Sequence, residues 1–233
     1  MKIALLGYGK MGKTIERIAV GRGHEIVAII DKDTLDSDFS KADVAIDFSI
    51  PSEAFNNIKK CFKKKVPVIS GTTGWLDYYD AAVALCKEQN GAFIYASNFS
   101  LGVNLFFELN TKLAVMMRNF KDYKISIEEI HHTQKLDAPS GTAITLAEGI
   151  IANSVKDSWK LNVTESEKQI PIVAKRIENV PGTHTIKYTS PVDEIQIKHT
   201  ANSRDGFALG AVIAAEWIVG KKGVYSMKDV LGL

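Results

Sequence analysis

Between His131 and Thr142 the chain reads His131-His132-Thr-Gln-Lys135-Leu-Asp137-Ala-Pro139-Ser140-Gly141-Thr142, which places two imidazoles, an ammonium group and a helix start within twelve residues. Histidine titrates near neutral pH, so it can give or hold a proton. Lysine adds a fixed cation and a second proton source. Ser140, Gly141 and Thr142 open a helical pattern that ends near Ser154, and the unpaired N–H groups of a helix start attract anions. Two cation-bearing side chains beside such amides suit a small dicarboxylate. Stripped of chemistry, the same run is a solvated basic loop ahead of a capped helix.

A second cluster lies at the start of the chain, Gly7-Tyr8-Gly9-Lys10-Met11-Gly12, after a short apolar run and before a helical pattern. That is the context a dinucleotide fingerprint requires. Gly7 permits the tight turn, Gly9 lets the backbone approach a pyrophosphate, and Gly12 lets the helix pack close to the strand. Asp31 follows 19 residues after Gly12, where an acid can bind ribose hydroxyls. Its neighbour Lys32 could offset a 2′-phosphate, so the pair predicts NAD preference with some tolerance of NADP. The third cluster is Ser70-Gly71-Thr72-Thr73-Gly74. It follows an apolar run and places two hydroxyls at the carboxyl end of a strand, where open α/β sheets bind ligands.

Positioning these residues requires two kinds of scaffold. Over the first hundred residues, apolar runs at Ile3–Leu6, Ile26–Ile30, Val44–Phe48, Val66–Ser70 and Ala92–Ala96 alternate with helical segments at 11–21, 51–64 and 75–89. Strands without polar alternation, separated by helices, predict a parallel sheet covered on both faces. After an apolar-rich helix at Leu101–Met117, the stretches 123–130, 183–189 and 194–200 alternate with period two. In the first of them the apolar positions are Ile125, Ile127 and, after a slip of phase, Ile130. Such strands have one wet face, as in an open mixed sheet packed on helices. Residues 156–170 are polar and read as a surface excursion, and 207–219 is helical again.

The expected class is α/β: a Rossmann-type doubly wound sheet, then an α+β substrate and oligomerisation domain. The expected boundaries are 1–101 with 206–233 returning, and 102–205. Formal charge is balanced, 29 Lys+Arg against 27 Asp+Glu, which argues against nucleic acid and polybasic membrane binding. No apolar stretch reaches the length of a membrane span and the first residues lack a signal-type apolar core, so a cytoplasmic protein is expected. Cys61 and Cys86 sit in helical patterns with no Cys or His at metal-ligand spacing, and neither a disulfide nor a metal is expected.

The run His131–Ala143 resembles, without a gap, the His-His-x-x-Lys-x-Asp-Ala-Pro-Ser-Gly-Thr-Ala signature of the dihydrodipicolinate (4-hydroxy-tetrahydrodipicolinate) reductase family. The segments around Asp47-Phe48-Ser49, Gly71–Gly74, Ala96–Asn104, and Ser203-Arg204 with Phe207 and Gly210-Ala211 are similar to family segments in the same order. The resemblance covers essentially the whole chain. It implies two hinged domains that close, a cytoplasmic homotetramer, and NADH or NADPH as the reductant of a small cyclic imine dicarboxylate. It places the catalytic acid/base on His131 and a proton-donating lysine on Lys135. His132, Ser140, Gly141 and Thr142 fall on the substrate-carboxylate site. Gly7 to Gly12, Asp31, Lys32, Gly71, Thr72, Thr73, Ala96, Ser97, Asn98 and Phe99 fall on the cofactor groove, with Arg204 and Phe207 at the domain junction beside it. The segment 33–42 is compressed and Asp31 stands where some members have glutamate; the Asp31–Lys32 pair bears on coenzyme choice rather than on the reaction.

Two other readings stay open at this stage. One is a nicotinamide oxidoreductase acting on an aldehyde or sugar, which would leave the paired histidines and Lys135 unexplained. The other is a dinucleotide-binding redox sensor without turnover, which would need no lysine in the loop.

Overall fold

The computed structural model describes residues 1–31, 34 and 38–233. The chain divides into two compact units, Met1–Leu101 with Asp205–Leu233, and Gly102–Arg204.

The first unit is built on a six-stranded, wholly parallel sheet. Its strands are β1 (Lys2–Leu6), β2 (Glu25–Ile30), β3 (Val44–Asp47), β4 (Val68–Ser70), β5 (Ala92–Tyr95) and β11 (Gly223–Tyr225), in the order β11-β5-β4-β3-β1-β2. Alternation along each strand feeds two cores. Ile3, Leu5, Val44 and Ile46 face one layer with α1 (Lys10–Gly21) and α6 (Asp205–Ile218). Ala4, Leu6, Ala45 and Val68 face the other, with α2 (Pro51–Lys63) and α3 (Tyr79–Glu88). Pro51 starts α2 at a position whose N–H would be unpaired anyway, and Ala54, Ile58, Cys61 and Phe62 carry its buried stripe. The order of connection reverses between β1 and β3, so the loops after those two strands flank the switch point where such sheets bind ligands.

The second unit carries a five-stranded mixed sheet in the order β10-β9-β6-β8-β7. Strand β6 (Lys124–His131) lies at its centre, antiparallel to β9 (Gly182–Thr189) and parallel to β8 (Gln169–Arg176). Strands β10 (Glu194–Ala201) and β7 (Ser158–Leu161) form the edges. Helices α4 (Leu101–Met117) and α5 (Gly141–Ile151) cover one face through Phe106, Ala114, Leu146 and Ile150, against Ile127, Ile170, Ile172 and Ile186.

Several local expectations change. The segment 75–89 starts as a 3-10 turn (Leu76–Tyr78) before α3 begins. The supposed excursion at 156–170 contains β7 and leads into β8. Pro171 interrupts the strand-like composition there, yet Ile170 and Ile172 on either side of it are fully buried. β11 and α7 (Met227–Leu231) are further elements that periodicity left unread. There is also no slip of phase in β6: Ile127, Glu129 and His131 are all buried on one face.

Candidate functional site

In the second unit, strand register assembles the charged cluster. Glu129 and His131 are two apart on β6 and so share a face. Across the sheet, Glu129 pairs with His184 of β9 and His131 with Arg176 of β8. Glu129 is wholly buried, His131 and His184 nearly so. Glu129 Oε2 lies 3.0 Å from His131 Nδ1 and 3.9 Å from His184 Nε2. The first contact lies off the line of a straight hydrogen bond and becomes an ion pair only when His131 is protonated. Glu129 Oε1 accepts from the Ser140 amide at 3.1 Å and from Arg176 Nη1 and Nη2 at 3.3 and 3.2 Å. Burial pushes the Glu129 carboxyl up, but His131 and the Ser140 amide outweigh it and hold it down at about 2. Burial lowers His184 to about 4, helped by the neighbouring His131.

The loop after β6 is fastened by Arg176, whose Nη2 donates to the Asp137 carbonyl at 2.6 Å and whose Nε donates to the Lys135 carbonyl at 3.3 Å. Lys135 Nζ meets both Asp137 carboxylate oxygens at 2.8 Å, so the ammonium is placed rather than free to wander. Ser140 caps α5: its hydroxyl accepts from the Ala143 amide at 3.2 Å and meets His184 Nε2 at 3.1 Å. With the Ser140 hydroxyl and amide so engaged, the helix start offers the amides of Gly141 and Thr142, which have no intrahelical acceptor. A Cβ added at Gly141 would meet nothing within 4 Å, so the space before the helix is open.

His132 lies on the loop beside Arg204, with Nη2 to Nε2 at 3.3 Å. Partial burial, then the cations Arg204, His131, Lys135 and Arg176, lower its pKa and favour the neutral ring. Since Arg204 can only donate, His132 Nε2 accepts. His132 and Arg204 line a cleft of about 280 Å³ with Gln134, Glu178 and Asn179. That is room for a compound of one small ring. Thus His131, His132, Lys135, Ser140, Gly141, Thr142 and Arg204 all fall in this unit. Glu129, His184 and Arg176 were missed by sequence reasoning. The readable signal was Glu-x-His on an alternating strand, with an acid standing where the pattern calls for an apolar residue.

In the first unit, the loop after β1 is shaped by its glycines. Gly7 has φ +92°, and a Cβ there would lie 2.3 Å from the Phe48 carbonyl oxygen. A Cβ at Gly12 would lie 2.4 Å from the Gly7 oxygen, so α1 can approach the strand only without a side chain. At Gly9, the N-cap of α1, a Cβ would meet nothing within 4 Å, and no side chain caps the helix. The space before α1 at Gly9 is thus open and the first amides of the helix have no intrahelical acceptor, as a pyrophosphate site requires. Lys10 is exposed, Met11 packs on the core, and the Tyr8 hydroxyl donates to Glu16. Asp31 is exposed just past β2, its amide donating to Thr34 Oγ1 at 2.8 Å. Lys32 lies outside the described residues.

Buried Asp47 ties together the loops after β3 and β4. It accepts from Ser49 Oγ at 2.7 Å, Asn57 Nδ2 at 3.0 Å, and Ser70 Oγ and Thr72 Oγ1 at 2.8 Å each. Burial, only partly offset by these donors, raises its pKa. Thr72 Oγ1 also accepts from the Ser49 amide at 2.9 Å, and Gly71 leaves room for the Phe48 ring, 2.3 Å from where its Cβ would sit. Thr73 alone of the pair presents an exposed side chain. Phe99 is a core residue, with its ring 5.8 Å from Phe48, so only its backbone can reach a ligand. Ala96, Asn98 and Phe207 are half-buried and Ser97 is exposed. Both cysteines are free and buried. Among the described residues, no helix is long and apolar enough to cross a membrane.

The comparisons with known proteins agree with one another. The family model for the N-terminus of dihydrodipicolinate reductase matches residues 1–99, and that for its C-terminus matches residues 102–231. The chain is 60% identical, over 99% of its length and 98% of the relative's, to the 4-hydroxy-tetrahydrodipicolinate reductase of Christiangramia forsetii. It is 38% identical to that of Neisseria meningitidis, over 86% of this chain and 77% of the other. Among solved structures, a dipicolinate-bound dihydrodipicolinate reductase from Paenisporosarcina superposes with TM-score 0.78, at 22% identity and 97% coverage of both chains. An aspartate dehydrogenase from Thermotoga maritima follows at TM-score 0.52 and 14% identity, over 97% of this chain and 99% of the other. These last two likenesses concern the fold.

Proposed function

The chain belongs to the dihydrodipicolinate reductase family, and from that premise we propose that it reduces 4-hydroxy-tetrahydrodipicolinate to tetrahydrodipicolinate in lysine and diaminopimelate biosynthesis. The observation that carries this reading is that one loop and the start of α5 bring His131, His132, Lys135 and the open Gly141 and Thr142 amides together in the second unit, with His132 and Arg204 lining a small cleft. With Lys135 and Arg204 as the two cations, it is a constellation that can neutralise two carboxylates and still deliver a proton. NADH or NADPH fits the first unit because the space before α1, at Gly9, is the kind a backbone-bound pyrophosphate fills. When bound, the reduced coenzyme supplies a hydride and its electron pair.

The protein's own residues do the rest. Gly7, Gly9 and the amides of Lys10 to Gly12 hold the diphosphate, and Asp31 takes the adenosine ribose hydroxyls, which favours NADH. Thr73, the Gly71–Thr72 backbone, Ala96–Phe99 and Phe207 border the same groove. In the second unit, the Gly141 and Thr142 amides with Lys135 anchor one substrate carboxylate, and the Arg204 guanidinium, held by His132 Nε2, anchors the other. His131 Nδ1 is turned to Glu129, so Nε2 is the ring nitrogen left to meet the substrate and give it a proton. The overall change balances as one hydride and one proton gained by the substrate and one water lost. A cytoplasmic homotetramer belongs to the same proposal on the strength of the family resemblance, with the exposed apolar Val192 and Ile195 available to a subunit interface.

Steady-state kinetics of His131→Ala and Lys135→Ala test the assignment. His131→Ala should lower kcat by about 10²-fold or more with little change in KM. Lys135→Ala should lower kcat and raise KM together. Parent-like kcat in both variants would refute it.

A further inference from the structure

Glu129 has no part in the reading above, yet it is the most enclosed ionisable group of the second unit, with no exposed surface at all. A carboxylate buried in the central strand of a sheet is costly unless every lone pair is engaged. Its two oxygens are divided between two tasks. Oε1 takes the Ser140 amide and the Arg176 guanidinium, and Oε2 faces His131 Nδ1 at 3.0 Å. Glu129, His131 and His184 offer three donor atoms within 4.8 Å of one another, a set that a divalent metal could use. The guanidinium on Oε1 and the Ser140 hydroxyl on His184 Nε2 argue against that use, because the cluster already contains its cation.

We infer that Glu129 is the positioning residue for His131: it keeps the ring hydrogen on Nδ1 and so reserves Nε2 for the substrate, while its other oxygen ties the start of α5 to the same strand. The inference rests on His131 being the proton donor. An ionised carboxylate only accepts, so a neutral imidazole facing it carries its hydrogen on that side. When Nε2 is protonated, the imidazolium stands beside a fixed negative charge. On donation the Nε2 proton passes to the substrate carbon or nitrogen that gains electron density. The ring is left neutral with Nδ1–H in place, and Glu129 takes up no proton. Gly182 serves the same end, since a Cβ there would lie 3.1 Å from Nε2 and crowd the working edge of the ring.

Glu129→Gln is the test. Its amide oxygen would stay with the Arg176 and Ser140 donors, which turns its NH₂ toward Nδ1. Donor would face donor, and the neutral ring would move its hydrogen to Nε2. The expected result is a fall in kcat of about ten- to hundredfold. The melting temperature should fall, because the charge facing Arg176 is lost, so kcat is compared at a temperature where both proteins are folded; dipicolinate affinity should change by less than about threefold. ¹⁵N spectra of the imidazole nitrogens should show the neutral ring protonated at Nδ1 in the parent and at Nε2 in the variant. Glu129→Asp, which stays ionised, should restore the parent tautomer and part of the rate. Parent-like kcat in Glu129→Gln, alongside an impaired His131→Ala, would overturn the positioning role alone. Parent-like kcat in His131→Ala would remove the catalytic assignment beneath it. Should Glu129→Gln fail to fold, the parent spectrum decides by itself: a neutral His131 protonated at Nε2 contradicts the inference.

Discussion

Glu129 and His184 are cross-strand partners in the β6/β9 pair, and Glu129 Oε2 lies 3.9 Å from His184 Nε2 inside the second unit. Both also touch the cap of α5, Glu129 through the Ser140 amide and His184 through the Ser140 hydroxyl.

Their titration makes the fold acid-sensitive in two stages. His184 falls from 6.5 to about 4 in the folded chain, so between those values the unfolded chain binds more protons and stability drops as pH falls. Glu129 falls from 4.5 to about 2, so its ionised form stabilises the fold above 4.5 and that contribution is lost as pH falls toward 2. Each stage is on the order of 3 kcal/mol. Urea unfolding between pH 3 and 8 should show both slopes, and His184→Gln should flatten only the upper one. A parent whose stability is flat from pH 6.5 to 4.5 would contradict this.

Gly9→Ala separates binding from folding. The added Cβ meets no protein atom within 4 Å, and the residue's φ of −75° suits alanine. Melting temperature should therefore stay within a degree or two while the Kd for NADH rises at least about tenfold, because the methyl occupies the pyrophosphate's approach. Gly7→Ala, whose Cβ would lie 2.3 Å from the Phe48 oxygen, should lose stability as well. Equal NADH affinity in Gly9→Ala and the parent would move the diphosphate elsewhere.

Asp47 should behave as a linchpin for the loops after β3 and β4. Asp47→Ala strands the hydroxyls of Ser70 and Thr72 and the Asn57 amide in a buried site, at a cost of about 2–4 kcal/mol. Asp47→Asn keeps an acceptor and removes a charge that burial disfavours, so its stability should stay within about 1 kcal/mol of the parent. Chemical denaturation of the two variants checks the contrast; similar large losses in both would mean that the charge itself is required.

Coenzyme choice should turn on Asp31. Replacing it with Ser removes the negative charge that would oppose a 2′-phosphate and the acceptor that would hold the ribose hydroxyls. The ratio of kcat/KM for NADPH over NADH should rise by about tenfold or more. An unchanged ratio would assign the discrimination to other residues.

The nucleotide unit was legible because its signals are local. Glycines at fixed spacing, unbroken apolar strands and Pro51 at a helix start each depend on a few neighbouring residues. The loop from His131 to Thr142 was legible for the same reason. What escaped was non-local. Glu129 reads as one more charged residue until register sets it opposite His184 and beneath Arg176, more than forty positions away. The apparent slip of phase in β6 came from treating Glu129 as solvent-facing; the alternation is regular, with an acid in a core position. β8 was hidden by Pro171, and β7 is short and only half-buried, so neither stands out from a polar surface segment. Asp47 looks like a strand-end turn residue, and only the return of β4 beside β3 brings Ser70 and Thr72 to it.

The reductase assignment itself is tested most directly by following oxidation of NADH, then NADPH, with the purified protein while a separate synthase makes 4-hydroxy-tetrahydrodipicolinate in place from pyruvate and aspartate semialdehyde. Rapid oxidation that requires the synthase, with NADH used better than NADPH, is the predicted result. No oxidation with either coenzyme, from folded protein shown to bind NADH, would contradict the account and leave the His131 loop serving some other ligand.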